Sequence, residues 1–220
     1  MNARNILEYL LNILLPKPEK IIMVENMSPE ELRSLATLPI ARQNALPKNF
    51  FSVLNYKTSV TKNAIWELKY RSNTKIAELL AGVFYEEIVE QLHERKLSEN
   101  FDKPMLIPIP ISKERLAERG WNQCDIIADK LRNIDNGNFF EVDKNVLIKI
   151  RDTESQTKKD RSARLKDLKG CFAVQNSEKI AGKNVILIDD VLTTGATFEE
   201  AGKTLLNAGA RKIVCASLAH

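Results

Sequence analysis

The stretch Val185-Ile186-Leu187-Ile188-Asp189-Asp190-Val191-Leu192-Thr193-Thr194-Gly195-Ala196-Thr197 decides the fold. Four apolar residues in a row read as a strand buried on both faces of a parallel sheet. The run stops at two adjacent carboxylates and passes into a hydroxyl-rich turn. From Ala196 a helix is expected, through Phe198, Glu199, Glu200, Ala201, Leu205 and Leu206. One segment thus sets two acids at the carboxyl end of a central strand, where open α/β sheets bind their ligands. It also sets N–H groups and hydroxyls at a helix start, which attracts anions.

The pairing has a definite chemistry. Thr193, Thr194 and Thr197 offer hydroxyls, and the turn offers N–H donors, to a phosphate. Carboxylates repel phosphate but accept hydrogen bonds from vicinal sugar hydroxyls, each bond contributing about 1.5–3 kcal/mol. A phosphate beside a diol describes a ribose 5-phosphate. A simple helix cap would need one acid, and here the helix starts several residues later. Gly195 with Gly202-Lys203-Thr204 is not a Walker A loop, because six residues separate the glycines where four are required and Gly202 falls inside the helix.

All thirteen positions resemble the phosphoribosyl pyrophosphate (PRPP) motif of type I phosphoribosyltransferases. The resemblance implies that Asp189 and Asp190 hold the ribose hydroxyls and act in catalysis. It implies that Thr193, Thr194, Gly195, Ala196 and Thr197 take the 5-phosphate.

The 220 residues suffice for one α/β domain with an appendage. Hydrophobic content of 44% and charged content of 28% are those of a globular protein, and a formal charge of +4 says little about partners. Cys124, Cys171 and Cys215 are scattered and odd in number. They suggest neither a disulfide framework nor a zinc site, and a cytoplasmic setting is expected. The apolar run Ile6–Leu15 is interrupted by Glu8 and Asn12 and is too short to span a bilayer. An amphipathic helix packed on the domain or a partner is expected there.

Outward from the motif, the chain alternates as an α/β fold should. Strands are expected at 50–56, 105–110, 146–150, 171–174 and 213–218, the last closing the sheet. Helices are expected at 60–68 and 73–94, and one from a Ser112 cap to about Leu131. The fold class is therefore α/β: a mainly parallel twisted sheet flanked by helices, with residues 1–48 as an N-terminal appendage and 49–220 as the main domain.

Three further segments resemble the ComF family of competence-associated phosphoribosyltransferases. Trp66-Glu67-Leu68-Lys69-Tyr70-Arg71 resembles its Lys-Tyr element, which implies a pyrophosphate-binding turn carrying Lys69, Tyr70 and Arg71. Ser72-Asn73 stands where the family has Gly, and Asn is the residue of that pair suited to positive φ. Ile107-Pro108-Ile109-Pro110, with Arg115, Arg119, Gly120, Trp121, Asn122 and Gln123, resembles the family's Pro-x-Pro strand and Arg-x-x-x-Arg-Gly-Phe-Asn-Gln signature, with Trp121 for Phe. Arg115 and Arg119 share a helix face and suit a phosphate or a nucleic-acid backbone. Arg151, Gln156-Thr157, Arg161, Arg164 and Phe172 resemble a third segment, with Asp167 for Asn and Cys171 for Ala. Residues 151–169 resemble in character the loop that closes over PRPP in type I enzymes, where exclusion of water protects the ribosyl centre. The family's four-cysteine zinc ribbon has no counterpart after Pro16, where Lys17-Pro18-Glu19-Lys20 follow.

The resemblance implies Mg²⁺-dependent displacement of pyrophosphate from PRPP by a nitrogen acceptor. Mg²⁺ would be held mainly through the ligand, with no dedicated protein metal site. No general base and no acceptor-selecting motif stand out. The alternative is a non-catalytic PRPP sensor or single-stranded-DNA-binding protein on the same fold, using stacking aromatics such as Tyr70, Trp121 and Phe172. Oligomeric state is left open.

Overall fold

The computed structural model describes residues 17–151 and 167–220. Its elements in chain order are α1 (Glu19–Glu25), α2 (Pro29–Ala36), α3 (Ile40–Gln43), β1 (Phe50–Leu54), α4 (Ser59–Arg71), α5 (Thr74–Glu99), β2 (Met105–Pro108), α6 (Lys113–Arg119), α7 (Gln123–Asp135), β3 (Glu141–Val142), β4 (Leu147–Lys149), β5 (Phe172–Val174), β6 (Asn184–Val191), α8 (Ala196–Asn207) and β7 (Lys212–Ala219). The apolar run Ile6–Leu15 lies outside the described residues.

Five strands form a parallel sheet in the order β1-β7-β6-β2-β3. β4 and β5 form a separate antiparallel pair. The apolar run of β6 is buried on both sides, as an interior parallel strand requires. Ile186 and Ile188 face one cluster with Leu106, Ile127, Leu131, Val214 and Leu218. Val185 and Leu187 face the other with Met105, Ile107, Phe198, Leu205 and Phe172. Helices α4, α5 and α7 therefore cover one face, and α8 with the β4–β5 pair covers the other.

The strand order locates the ligand crevice. The chain leaves β2 through α6 and α7 toward the β3 edge, and leaves β6 through α8 toward β1. Adjacent strands whose connections diverge make a topological switch point, with a crevice at their carboxyl ends. Those ends carry Pro108 on β2 and Asp189 and Asp190 on β6, with Pro108 in register with Ile188. β3 reaches only Met105 and Leu106, so beyond them β2 has an open side where proline removes no ladder bond.

The structure corrects four expectations. β7 does not close the sheet but lies between β1 and β6, because its alternating residues bury on both faces. The β6 strand continues through both acids to Val191. The helix expected after Ser112 is broken: α6 ends at Gly120, whose φ of +82° is left-handed, and Asn122 caps a new helix. The basic turn after Leu68 is helical to Arg71, with Ser72 as the left-handed residue at φ +49°.

The N-terminal segment packs on the core. Ile21, Val24, Leu32 and Ala36 join the cluster that includes Leu68 of α4 and Leu80 and Phe84 of α5. The Leu38 N–H donates to the Val53 carbonyl at 2.8 Å, and Thr37 bridges Leu54, which covers the otherwise open edge of β1.

Candidate functional site

The loop after β6 is built locally. Leu192 N–H donates to the Ala219 carbonyl at 2.8 Å, and the Leu192 carbonyl lies 2.9 Å from His220 Nδ1. The loop is thereby tied to the end of β7. Gly195 has φ +80°, a conformation an L side chain adopts only under strain. Thr194 Oγ1 accepts from Ala196 N–H at 3.4 Å. The first-turn N–H groups of α8 have no intrahelical acceptors, and the N-cap Gly195 supplies no side chain to cap them. Residues Thr193 to Thr197 thus form the arrangement expected of an anion cradle.

The acids differ from each other. Asp190 is buried, and its Oδ2 lies 2.7 Å from Lys69 Nζ, which comes from the last turn of α4. Burial works against the Lys69 ammonium, but the charge and hydrogen bond of Asp190 with the charge of Asp189 together outweigh it and raise the Lys69 pKa above its usual value. Asp189 accepts from Asp190 N–H at 2.8 Å and from the Cys124 thiol at 3.4 Å. Burial and the neighbouring Asp190 charge push the Asp189 carboxyl up to about 7, more than its bonds to Asp190 N–H and Cys124 lower it. Burial and the same two acids hold the Cys124 thiol protonated, and so able to donate.

The corner between α6 and α7 packs against α4. Trp121 Nε1 donates to the Leu68 carbonyl at 3.1 Å, satisfying one of the carbonyls that a helix end leaves open. Phenylalanine could not make this bond. Asn122 Nδ2 donates to the Ile109 carbonyl and its Oδ1 accepts from Cys124 N–H, both at 3.1 Å. Gln123 Oε1 accepts from Arg119 at 3.2 Å. The Arg119 guanidinium lies 5.1 Å from the Tyr70 ring centroid, the Tyr70 and Trp66 rings lie 5.4 Å apart and tilted by 41°, and Arg71 lies over Trp66 at 5.4 Å. Trp66 and Tyr70 are each about half exposed (48% and 52%), so this ladder, two rings flanked by two guanidiniums, is open to solvent.

The expected residues therefore divide. Lys69 reaches Asp190, while Tyr70, Arg71 and Arg119 meet with Trp66 at the end of α4. Arg115, one turn before Arg119, makes no side-chain hydrogen bond or ion pair among the described residues. Arg151 Nη2 donates to the carbonyls of Asp167 and Lys169 at 2.9 and 2.7 Å, beside β4 and β5. Gln156, Arg161 and Arg164 lie outside the described residues. Sequence reasoning missed Cys124 and His220, whose roles come from contacts across the fold. Trp121, Asn122 and Gln123 were visible as a motif, but their partners were not. Among the described residues, no group of three or more metal-ligating side chains clusters, and no helix is long and apolar enough to cross a membrane.

Comparison with known proteins bears on the fold. Residues 117–220 match the phosphoribosyl transferase domain family, and with the sheet topology this defines a protein of the type I phosphoribosyltransferase fold. The chain is similar to competence protein ComFC of Bacillus subtilis, at 30% identity over 76% of this chain and 62% of that protein. It is similar to competence protein F of Haemophilus influenzae, at 30% identity over 71% and 66% respectively. DNA utilization protein YhgH of Escherichia coli K12 is 26% identical over 68% and 62%. The chain is thus similar to competence proteins of the ComF type over 71–76% of its length. Its match spans 62–66% of the length of these relatives.

Proposed function

We propose that the crevice binds PRPP with Mg²⁺ and transfers ribose 5-phosphate to a nitrogen acceptor with release of pyrophosphate, in a process linked to DNA uptake. The observation that carries this reading is the meeting, at the switch point, of the Asp189–Asp190 pair, the Thr193–Thr197 loop and the Lys69 cation. In this reading the loop N–H groups and threonines bind the 5-phosphate. Asp189 and Asp190 accept hydrogen bonds from the ribose hydroxyls and stabilise positive charge developing at the ribosyl carbon. Lys69 and Arg71 face the pyrophosphate, and Lys69 leaves Asp190 as the anion arrives.

The donor set fits Mg²⁺ held through the substrate. Asp189 and Asp190 offer two carboxylates without a larger ligand cluster among the described residues, and Mg²⁺ favours one or two carboxylates plus phosphate oxygens. When bound, the ion would neutralise charge on the leaving pyrophosphate. The test is a thermal-shift series with PRPP and Mg²⁺, followed by a pyrophosphate-release assay across nucleobases and amines. A shift with release supports the transferase. A shift without release for any acceptor favours a PRPP sensor.

The exposed Trp66–Tyr70 ladder favours a second reading, single-stranded nucleic-acid binding beside the crevice. Each stacked base is worth about 1–3 kcal/mol in such platforms. Trp66→Ala is then expected to weaken salt-dependent oligonucleotide binding at least fivefold in a fluorescence anisotropy titration and to leave PRPP binding unchanged. Equal oligonucleotide affinity in the variant removes this reading.

A further inference from the structure

The N-terminal helix reaches the turn that carries the cations. Lys69 and Arg71 end α4, Ser72 turns the chain with φ +49° and ψ +40°, and Asn73 caps α5 by accepting from Ile76 N–H at 3.3 Å. A non-glycine residue in this conformation costs about 1–2 kcal/mol and persists where its surroundings over-determine it. What over-determines Ser72 is the Asn73 side chain. Its Nδ2 donates to Glu25 Oε1 at 2.5 Å and to Glu67 Oε2 at 3.2 Å.

These carboxylates come from opposite sides. Glu67 is on α4 and buried, and its Oε1 lies 3.7 Å from Arg71 Nε. Glu25 is at the end of α1, with its side chain only 8% exposed, and its Oε1 also receives Lys17 Nζ at 2.5 Å. Burial opposes ionisation of Glu25, but the bonds from Lys17 and Asn73 outweigh it and hold its pKa below the usual value. A chain of contacts therefore runs Lys17–Glu25–Asn73–Glu67–Arg71, from a segment read in the sequence as an appendage to a cation of the site. A glycine at this turn would need no such brace, because it adopts left-handed backbone freely.

We infer that Glu25 of α1 is a positioning residue for the pyrophosphate end of the crevice. It holds Asn73, and through it the Ser72 turn and the direction of Lys69 and Arg71. The inference rests on the PRPP reading above. Its consequence is selective. Ligands that reach the α4 end depend on Glu25, and ligands confined to the Thr193–Thr197 end do not.

Isothermal titration with three probes, PRPP with Mg²⁺, inorganic pyrophosphate with Mg²⁺, and ribose 5-phosphate, tests it. Glu25→Ala is expected to weaken PRPP and pyrophosphate about tenfold and to leave ribose 5-phosphate within about twofold. Glu25→Gln keeps an oxygen acceptor for Asn73 and is expected to restore most of the loss. Asn73→Ser keeps the helix cap but removes the bridging amide, and is expected to reproduce Glu25→Ala even if that variant folds poorly. Equal weakening of all three probes would mean a general structural role and would overturn the inference, as would unchanged PRPP affinity in both Glu25→Ala and Asn73→Ser. Wild-type protein that binds neither PRPP nor ribose 5-phosphate would overturn the PRPP reading itself, and this inference with it.

Discussion

The two ends of the crevice are built in opposite ways. On the proposed PRPP reading, the 5-phosphate end is one continuous run, Leu192 to Thr197, between a strand and a helix that would be neighbours in any α/β fold. The pyrophosphate end is assembled from α4, the α6–α7 corner, the α5 cap and α1, residues spread from Lys17 to Gln123. Asp189 and Asp190 lie at the seam. A continuous site depends on local backbone geometry and tolerates changes elsewhere. An assembled site depends on packing, and can be weakened by a residue remote in sequence.

That contrast can be broken at the seam with the largest effect. At a hundredfold excess of PRPP over Kd, the wild-type protein is expected to gain about 2.7 kcal/mol. Asp190→Asn should remove most of that gain, because it removes both an acceptor for the ribose and the counter-charge of Lys69. A thermal shift equal to that of the wild type would show that Asp190 does not touch the ligand.

A smaller effect should mark the continuous end. Gly195→Ala places a methyl group on a residue with φ +80°, at a cost of about 1–2 kcal/mol. The nearest atoms to that methyl are at 3.6 Å or more, so the cost is backbone strain and not a clash. The melting temperature should fall by a few degrees. Ribose 5-phosphate should weaken with PRPP, the reverse of the pattern expected for Glu25→Ala. Parallel behaviour of the two variants would mean that the ends do not act separately.

A further test, on the protein without ligand, is a slope with pH. The Asp189 carboxyl is raised from 3.8 to about 7 in the folded protein. An acid raised by folding contributes stability that is fully present below its unfolded pKa and lost as pH rises through its folded value. Between about pH 4 and pH 7 the ligand-free wild-type protein should therefore lose stability relative to Asp189→Asn. Chemical denaturation of both proteins across this window measures the difference. A constant difference would mean that Asp189 titrates normally.

Much of the architecture was legible because its determinants are local. The run Val185–Ile188 forms a buried strand wherever it sits in a parallel sheet, and the acids and glycine after it mark the ligand end of that strand. The α4 and α5 helices declare themselves by spacing, and the cation-bearing segment and the Asn122-Gln123 corner by their motif. Left-handed turns were harder to read. Ser72 took the positive φ for which Asn73 is better suited, because the Asn73 side chain was needed to cap α5 and to bridge Glu25 and Glu67.

The sequence by itself determined the fold class, the acid pair and the glycine turn before α8, since each is encoded within a dozen consecutive residues whose backbone preferences and chemistry agree. Only the tertiary structure decided that β7 is interior, that Trp121 closes the end of α4, and that Lys69 reaches Asp190. It also decided that Cys124 donates to Asp189 and that α1 braces the cation turn. Those contacts join residues far apart in the chain, and their energies depend on burial and on distances of 2.5–3.7 Å that no local pattern specifies.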